Sequence, residues 1–298
     1  MPDLIRTLAQ APPIITDGAW GTLLQQQGLH AGECPDGWNL SHPEAVRQVA
    51  AAYAEAGSMV ILTNTFRANR ISLEPHGFAG LVHEINRAGV EISRRAAGPK
   101  TKVFASIGPT GKMLMAGDVT EEDLREAFSE QASALAGAGA DALLLETFGD
   151  LDEAVIALEA AKKNGLPVVV SMVFDSGKHR DRTMMGKTPE DVAHRLTAAG
   201  ADAIGANCGL GIEGYIPICA RLKGATDRPI WIKPNAGLPE WQNGTLIYAT
   251  TPEEFAGFAP ELYASGATFI GGCCGTRPDF IRALHACLFP AHATRPEA

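Results

Sequence analysis

Short apolar runs alternate with amphipathic segments along the whole chain. Runs that are apolar on both faces are typical of parallel strands buried between other elements. The sequence therefore predicts eight parallel strands, each followed by a helix. These strands are expected near residues 13–16, 59–63, 102–107, 141–146, 167–174, 202–207, 229–234 and 267–272.

Helix start and stop signals separate the predicted strands. Thr120, Thr188 and Thr251 precede acidic residues, and Ser41 stands two residues before Pro43. A hydroxyl at the cap and acidic residues in the first turn stabilise the start of a helix, and Pro fits its first position. Glycines in AEAGSMVIL, AGAGADALLL, TAAGADAIGA and YASGATFIGG close the preceding helices, because glycine readily adopts the left-handed conformation.

Eight β/α units predict a single-domain (β/α)8 TIM barrel over residues 1–298, with a polar C-terminal tail from about residue 290. An open doubly wound sheet is the alternative. We find no change of composition that would mark a linker, which favours one barrel over two domains.

The composition narrows the class of protein. The 25 Lys and Arg residues face 34 Asp and Glu residues, for a net charge of −9. A protein that grips a nucleic-acid backbone needs a basic excess, so we expect no nucleic-acid partner. Neither a secretory leader nor a transmembrane run is apparent, and we expect a cytoplasmic protein without membrane association. The helices are rich in alanine and could pack against a second copy of the chain, so a homo-oligomer is possible.

Polar and glycine residues concentrate just after the predicted strands. In a barrel of this type the active site is built from the loops that follow the carboxyl ends of the strands. The segments at these positions include Asp17-Gly18-Ala19, Glu146-Thr147, Asn207-Cys208-Gly209, Pro234-Asn235 and Gly272-Cys273-Cys274. Their placement marks the candidate catalytic face.

Three of the six cysteines lie on this face: Cys208 follows the sixth strand, and Cys273 and Cys274 follow the eighth. Strands 6 and 8 can project side chains toward one point. Three thiolates suit Zn²⁺ and leave its fourth position open, as in catalytic zinc sites. The alternative for the adjacent pair is a strained redox disulfide. Three other cysteines are interpreted as packing residues: Cys34, Cys219 and Cys287.

The motifs resemble those of the homocysteine S-methyltransferase family. They are DGAWGTLLQ (17–25), TNTFRAN (63–69), GPTG (108–111), ETF (146–148), ANCGLG (206–211), PNAGLP (234–239) and GGCCGT (271–276), in order over nearly the whole chain. Within the family, the homocysteine-binding barrel of cobalamin-dependent methionine synthase is most similar. The resemblance implies a zinc-bearing (β/α)8 barrel whose metal ligands correspond to Cys208, Cys273 and Cys274.

The resemblance also implies contacts with homocysteine. Asp17 and Glu146 correspond to the residues that bind the amino group, and the backbone around Gly18 and Ala19 corresponds to the carboxylate contacts. For Asp17, capping of the next helix is the alternative. Asn207 and Asn235 are expected either to orient neighbouring groups or to shape turns, and Asn235 is a candidate for the fourth zinc position when substrate is absent.

The expected chemistry is methyl transfer to a thiolate. A free thiol has a pKa of ~8.5 and is mostly protonated at neutral pH. Zinc deprotonates a bound thiol. The homocysteine sulfur then attacks an electrophilic methyl group and gives methionine, without a general base in the transfer step.

The alternatives for the reaction differ in the methyl donor. Family members use betaine, S-methylmethionine, S-adenosylmethionine or a methylated corrinoid. A quaternary ammonium donor favours aromatic faces, and the positions where betaine enzymes carry tyrosines hold Arg67 and Thr147 here. Trp20, Trp38 and Phe66 are the candidate cage residues.

We therefore favour a subunit that takes its methyl group from a separate methylated corrinoid protein. A betaine- or S-methylmethionine-dependent enzyme is the first alternative. A non-catalytic zinc- and homocysteine-binding subunit of a larger assembly is the second. The segment 175–191 is expected to be a solvated loop, with a lid or a grip on a methyl-carrying partner as its functional alternatives.

Overall fold

The computed structural model of the protein describes residues 4–242 and 245–290. Eight strands form a parallel sheet, and two more form an antiparallel hairpin. The eight parallel strands are β1 (Ile14–Ile15), β2 (Val60–Ile61), β3 (Lys102–Ile107), β4 (Ala142–Phe148), β5 (Val168–Met172), β6 (Ala203–Gly211), β7 (Ile230–Asn235) and β10 (Ala267–Ile270). The hairpin consists of β8 (Pro239–Gln242) and β9 (Thr245–Tyr248).

The sheet curves round until its two edges meet. Its order is β1-β10-β7-β6-β5-β4-β3-β2. A parallel bridge between Thr16 and Val60 joins the first strand to the second, and the Met59 amide donates to the Ile15 carbonyl at 2.7 Å. The predicted (β/α)8 barrel is confirmed, and the open sheet is excluded.

Helices cover the outside of the barrel. Two of them begin at positions that matter for the site: the helix after β1 begins at Trp20, and the helix after β6 begins at Ile212. No helix within the described ranges is long and apolar enough to cross a membrane. The predicted tail lies mostly at 291–298, outside the described residues. The helices are α1 (Leu4–Leu8), α2 (Trp20–Gln26), α3 (Trp38–Ser41), α4 (Pro43–Glu55), α5 (Arg70–Leu73), α6 (Val82–Ala97), α7 (Glu121–Gly137), α8 (Leu151–Lys162), α9 (Pro189–Ala198), α10 (Ile212–Ala225), α11 (Pro252–Gly257), α12 (Ala259–Ala264) and α13 (Pro278–Leu288).

The core has two layers because successive strand residues point to opposite faces. In β4, Leu144 belongs to the cluster inside the barrel, whereas Leu143 and Leu145 belong to the cluster shared with the helices. The inner cluster is centred on Trp231, whose ring centroid lies 5.3 Å from that of Phe269. A barrel filled with side chains leaves its ligand site to the loops at the carboxyl ends of the strands.

The helix signals in the sequence are mostly confirmed. Thr120, Thr188 and Thr251 each form a capping box with the acidic residue three positions later. The prediction for Ser41 is wrong: α4 begins after His42 without a side-chain cap. Ser41 is the last residue of α3, and its hydroxyl donates to the carbonyl of Gly37, which precedes the first residue of that helix. A short helix directly before Pro43 already engages this hydroxyl.

Candidate active site

The three cysteines predicted as ligands converge at the carboxyl end of the barrel. Cys208 lies in the last part of β6, and Cys273 and Cys274 follow β10. Their sulfur atoms all lie within 4.8 Å of one another, and the Sγ atoms of Cys208 and Cys274 are 3.8 Å apart. The structure therefore brings together the three thiols that stand in two distant parts of the sequence.

The backbone at Cys208 is strained so that its thiol turns toward the other two. Cys208 has a φ of 64°, in the left-handed region that non-glycine residues rarely adopt. The Tyr215 hydroxyl of α10 donates to the Cys208 carbonyl at 2.7 Å and lies 3.0 Å from the Asn207 carbonyl. The next residue, Gly209, has a φ of 61°. The start of α10 thus stabilises the conformation that aims this thiol.

Cys273 and Cys274 are fixed by the neighbouring strand end. The Cys273 amide donates to the Pro234 carbonyl at 2.6 Å, and the Cys274 carbonyl accepts from the Ala236 amide at 2.9 Å. The Thr276 hydroxyl donates to the Cys273 carbonyl at 2.7 Å. The two adjacent thiols therefore sit on a tightly bonded turn.

Crowding and burial hold the three thiols in their protonated form. Hydrogen bonding with Cys273 lowers the pKa of Cys208, but its bond with Cys274 and burial outweigh this and raise that pKa to about 12. Its bond with Cys208 lowers the pKa of Cys274, but interaction with Cys273 raises it to about 12. The bond with Cys208 also raises the pKa of Cys273. Three thiolates at this distance need a cation between them.

A cavity of about 260 Å³ opens beside the cysteines. This volume lies just below the ~300–1,000 Å³ of usual ligand pockets, which suits a small molecule. The polar and charged groups of its wall come from several strand ends. The residues of the wall that matter below are Gly18, Ala19, Trp20, Asp36, Phe66, Arg67, Ser106, Glu146, Thr147, Lys233 and the three cysteines.

Glu146 places a buried carboxylate in the wall of this cavity. It is 7% exposed, and its Oε1 accepts from the Ser106 hydroxyl at 2.5 Å. Burial raises the pKa of Glu146, although the positive charge of Lys233 and the bond from Ser106 act to lower it. A buried carboxylate with one hydroxyl partner is suited to receive a cationic group of a ligand.

Asp17 lies behind the cavity wall and is fully buried. Its Oδ1 pairs with the Lys233 Nζ at 2.5 Å. Its Oδ2 accepts from the Trp20 indole and from the Leu62 amide, both at 2.7 Å. The carboxylate thus joins three separate elements of the barrel.

Gly18 and Ala19 line the cavity, as the resemblance implies. The Ala19 amide already donates to Thr276, at 3.2 Å to the hydroxyl and 3.3 Å to the carbonyl. Gly18 cannot be replaced by a larger residue without a clash, because a Cβ there would meet Thr276 and Tyr53. The backbone approaches closely at this point.

The two predicted asparagines are both buried at strand ends. The Asn207 Oδ1 accepts from the Thr147 amide at 2.9 Å and the Ser171 hydroxyl at 2.7 Å, and its Nδ2 lies 3.8 Å from the Cys273 sulfur. Asn207 therefore bridges β4, β5 and the cysteine cluster. The Asn235 Oδ1 has no hydrogen-bond partner among the residues that the structure describes.

The candidate aromatic cage residues are only partly brought together. Trp20 and Phe66 line the cavity, together with Arg67 and Thr147. Trp38 does not: its ring stacks on His42, with centroids 4.3 Å apart. Two aromatic faces and one exposed guanidinium therefore border the site.

The three cysteines interpreted as packing residues lie apart from the cluster. Cys34 and Cys219 are buried, and Cys287 is half-buried in α13. Within the described part of the chain, one group of three His, Cys, Asp or Glu residues has ligand atoms close enough to hold a metal ion, and it is the predicted one.

Many families share the barrel fold, and comparison with known families shows to which of them the chain belongs. The family model of homocysteine S-methyltransferases matches residues 14–288. The chain belongs to the homocysteine S-methyltransferase family. The match includes all eight barrel strands and all three clustered cysteines, so the resemblance noted in the sequence is confirmed.

Relatives within the family differ in length. The methionine synthase of Mycobacterium leprae is 30% identical over 306 residues, which cover 95% of this chain but 25% of that protein. The S-methylmethionine–homocysteine S-methyltransferase BHMT2 of Pongo abelii is 29% identical over 99% of this chain and 84% of that protein. The chain thus spans about a quarter of the length of the methionine synthase relative.

A solved family member has the same fold. The homocysteine methyltransferase MmuM of Escherichia coli, in its metallated form, matches with a TM-score of 0.80 and 25% identity over 96% of this chain and 99% of that chain.

Several residues of this candidate site were not predicted from the sequence. Lys233 directly follows three apolar residues of β7, and a charged residue inside a buried strand is a signal that could have revealed it. Tyr215 gave no signal, since an aromatic residue at the start of a helix usually packs in the core. Tyr248 of the hairpin acts to lower the pKa of Cys274. Asp36 lines the cavity from a loop before α3.

Proposed function

We propose that this protein transfers a methyl group to the thiol of homocysteine and forms methionine, with one zinc ion held by Cys208, Cys273 and Cys274. The observation that carries the proposal is the convergence of three thiols, within 4.8 Å of one another, on the wall of a small cavity that also contains a buried carboxylate. Family membership supports the same reaction.

The sulfur geometry fits zinc. Two sulfurs bound tetrahedrally to one zinc at ~2.3 Å lie ~3.8 Å apart, and the Sγ atoms of Cys208 and Cys274 are 3.8 Å apart. The Oδ1 of Asn235, which has no hydrogen-bond partner in residues 4–242 and 245–290, is a candidate fourth ligand before substrate binds. Zinc bound here would keep the substrate thiol deprotonated at neutral pH.

The protein's own residues orient the substrate. Glu146 is proposed to accept from the ammonium group, because its carboxylate faces the cavity. The resemblance predicts a contact between Asp17 and the same ammonium group. The oxygens of Asp17 already accept three hydrogen bonds, so this contact stays a prediction. Gly18 and Ala19 stay predicted carboxylate contacts. Asn207 would position Thr147 and Cys273 rather than touch substrate.

The transfer step balances without an added reagent. The thiol would release its proton to solvent on binding. Its sulfur then forms a bond with the methyl carbon, and the donor leaves with the electrons of its former bond to that carbon. A bound substrate held in line by Glu146 and the cysteine cluster converts this encounter into an effectively unimolecular step.

For the methyl donor we propose a separate methylated corrinoid protein. The exposed guanidinium of Arg67 borders the cavity, and its positive charge would repel a donor that carries a positive onium charge. Similarity to a methionine synthase over 95% of the chain supports this donor. S-methylmethionine is the second candidate, because Trp20 and Phe66 offer aromatic faces to a sulfonium and BHMT2 is similar over most of its length.

The donor experiment incubates the purified protein with homocysteine and each donor in turn, with methionine as the readout. We expect methionine with a methylated corrinoid protein and none with betaine. Methionine from betaine or S-methylmethionine alone would refute the corrinoid donor but leave homocysteine methyl transfer intact. Homocysteine binding without methionine from any donor would instead favour a non-catalytic subunit.

Metal analysis tests the zinc site separately. We expect close to one zinc per chain, lost in Cys273→Ser and retained in the control Cys287→Ser, since Cys287 lies outside the cluster. Wild-type protein that binds no zinc would contradict the proposed site.

A further inference from the structure

A second cavity lies on the same face of the barrel, beside the cavity that contains the cysteines. Its volume is about 400 Å³, within the ~300–1,000 Å³ of usual ligand pockets. Its wall is formed by residues from the end of β4, from the first turn of α8, and from the segments that follow β3 and β5. Among the described residues, only Thr147 belongs to the walls of both cavities. No step of the proposed reaction uses the second cavity.

Glu153 places a buried carboxylate in the wall of the second cavity. It lies in the first turn of α8 and is 5% exposed. Its Oε1 accepts from the Thr110 amide at 2.8 Å and from the Thr110 hydroxyl at 2.7 Å, whereas its Oε2 accepts no hydrogen bond within residues 4–242 and 245–290. Burial raises the pKa of Glu153 despite the two bonds from Thr110. A buried carboxylate oxygen without a donor is suited to receive a cationic group of a ligand.

The other charged groups of this wall carry both signs. Asp150 and Asp175 add two carboxylates, and Lys112 adds an exposed ammonium group. None of these three side chains takes part in an ion pair within the part of the chain that the structure describes. An α-amino acid carries an ammonium and a carboxylate group, and it would therefore complement both signs.

Three methionine side chains form an apolar part of the same wall. Met113 follows β3, and Met184 and Met185 follow β5. Met184 is 57% exposed and Met113 is 40% exposed, so both are free to move. Thioether side chains are unbranched, flexible and polarizable, and they fit around an apolar chain that passes between them. The wall thus suits a ligand with an unbranched apolar side chain.

We propose that the second cavity binds an α-amino acid with an unbranched sulfur-containing side chain, and that its occupant is the free methionine that the reaction forms. The class of ligand rests on the wall alone, whereas the identity of the occupant rests on the proposed function. The ammonium group would lie against Glu153, the carboxylate near Lys112, and the side chain among the three methionines. The shared residue Thr147 places this site next to the cavity where methionine would form.

The test is titration calorimetry with L-methionine on the zinc-loaded protein and on two variants that carry the same chemical change in the two cavities. Glu153→Gln keeps an oxygen that accepts from Thr110 but replaces the other oxygen by an amide nitrogen, which cannot accept from an ammonium group. Glu146→Gln makes this change beside the cysteines. We expect methionine affinity to fall about 10- to 100-fold in Glu153→Gln, the usual range for a hydrogen bond to a charged group, and to change little in Glu146→Gln.

Homocysteine should show the reverse pattern, because its thiol binds at the cysteines. Glu159→Gln alters an exposed carboxylate on the same helix as Glu153 and should change neither affinity. Methionine binding that is lost in Glu146→Gln and kept in Glu153→Gln would overturn the proposal, because methionine would then bind only beside the cysteines.

Lys112 tests the other end of the ligand without disturbing the buried carboxylate. We expect Lys112→Met to weaken L-methionine about 2- to 5-fold, as for an exposed ion pair, and to leave 3-(methylthio)propylamine, which lacks the carboxylate, unchanged. An equal effect on the two ligands would overturn the assignment to an α-amino acid. S-methylmethionine that binds here while L-methionine does not would assign the cavity to a donor and overturn the assignment to the product.

The outcomes also distinguish this inference from the proposed function. Protein that forms methionine but does not bind it in the second cavity would overturn this inference alone. Protein that neither binds homocysteine nor forms methionine would refute the proposed function, and L-methionine binding that depends on Glu153 would still support the amino-acid site.

Discussion

The Asp36 carboxylate should destabilise the protein at neutral pH. Asp36 is 2% exposed, in the loop that borders the cavity, and its Oδ1 accepts from the Arg67 amide at 2.9 Å. Burial raises its pKa from an ordinary 3.8 to about 6, although the Arg67 amide acts to lower it. Folding therefore costs free energy whenever this group is ionised.

The magnitude follows from the two pKa values. Between pH 3.8 and about pH 6 the folded protein binds more protons than the unfolded chain. The free energy of unfolding therefore falls as the pH rises through this window. At 1.36 kcal/mol for each pKa unit, the difference amounts to ~3 kcal/mol above pH 7. At pH 5 the same relation gives about half of that.

Replacement of Asp36 by Asn removes the charge and keeps an oxygen for the Arg67 amide. We expect Asp36→Asn to raise the free energy of unfolding by up to ~3 kcal/mol at pH 8 and by about half as much at pH 5. The assay is urea unfolding followed by circular dichroism, with both proteins in the same metal state. The control Asp227→Asn alters a side chain that is 86% exposed and should show no such pH dependence.

A stability change of the same size at both pH values would refute the reasoning, because it would arise from something other than ionisation. A destabilised Asn variant at pH 8 would show that hydrogen bonds to the charged carboxylate outweigh its burial. The expected outcome would mean that a costly charge is kept beside the cavity, as is common where function and stability compete.

Two further substitutions test how the barrel supports the site. Tyr215→Phe removes the hydroxyl that donates to the Cys208 carbonyl. We expect zinc affinity, measured in competition with a chelator, to fall about 10-fold. Unchanged affinity would show that this hydrogen bond does not support the zinc site. Gly205→Ala places a Cβ against the Trp231 carbonyl of the adjacent strand, and we expect thermal unfolding to show a loss of ~1–3 kcal/mol or more. Gly137→Ala, with nothing near its Cβ, should be neutral, and equal effects of the two glycine changes would contradict the packing argument.

The fold was predictable because its signals are local and repeated. Each strand is a short apolar run, and three helices begin at a threonine with a capping box. The hairpin of β8 and β9 was missed because its strands are four residues long and mixed in polarity. The dipeptide Asn-Gly at 243–244 was the available signal, since it favours hairpin turns.

The candidate site was predictable only where glycine and cysteine occur together after a strand. The ion pair of Lys233 with Asp17 was not, because it joins residues 216 positions apart across the barrel. Its formation depends on how the strands close and which side chains face inward, and a local pattern does not contain this information. The partners of Glu146 and Asn207 were hidden for the same reason.

Backbone strain at the site is concentrated where the strands carry irregularities. Of three non-glycine residues with positive φ in the described ranges, Thr147 and Cys208 both border the cavity. The pairing of β4 with β5 is interrupted just before Phe148, and that of β6 with β7 between Asn207 and Gly211. Such interruptions re-aim side chains beside active sites.

Asn207 connects the two strained positions. Its Oδ1 accepts from the Thr147 amide, its Nδ2 donates to the Thr147 hydroxyl at 2.7 Å, and it directly precedes Cys208. Left-handed residues cost ~1–3 kcal/mol each and persist only where surrounding contacts hold them. The buried side-chain amide of Asn207 thus stabilises the left-handed conformations of Thr147 and Cys208. It couples the shape of the cavity wall at Thr147 to the direction of the Cys208 thiol. A change at either residue is therefore expected to alter metal binding and substrate fit together.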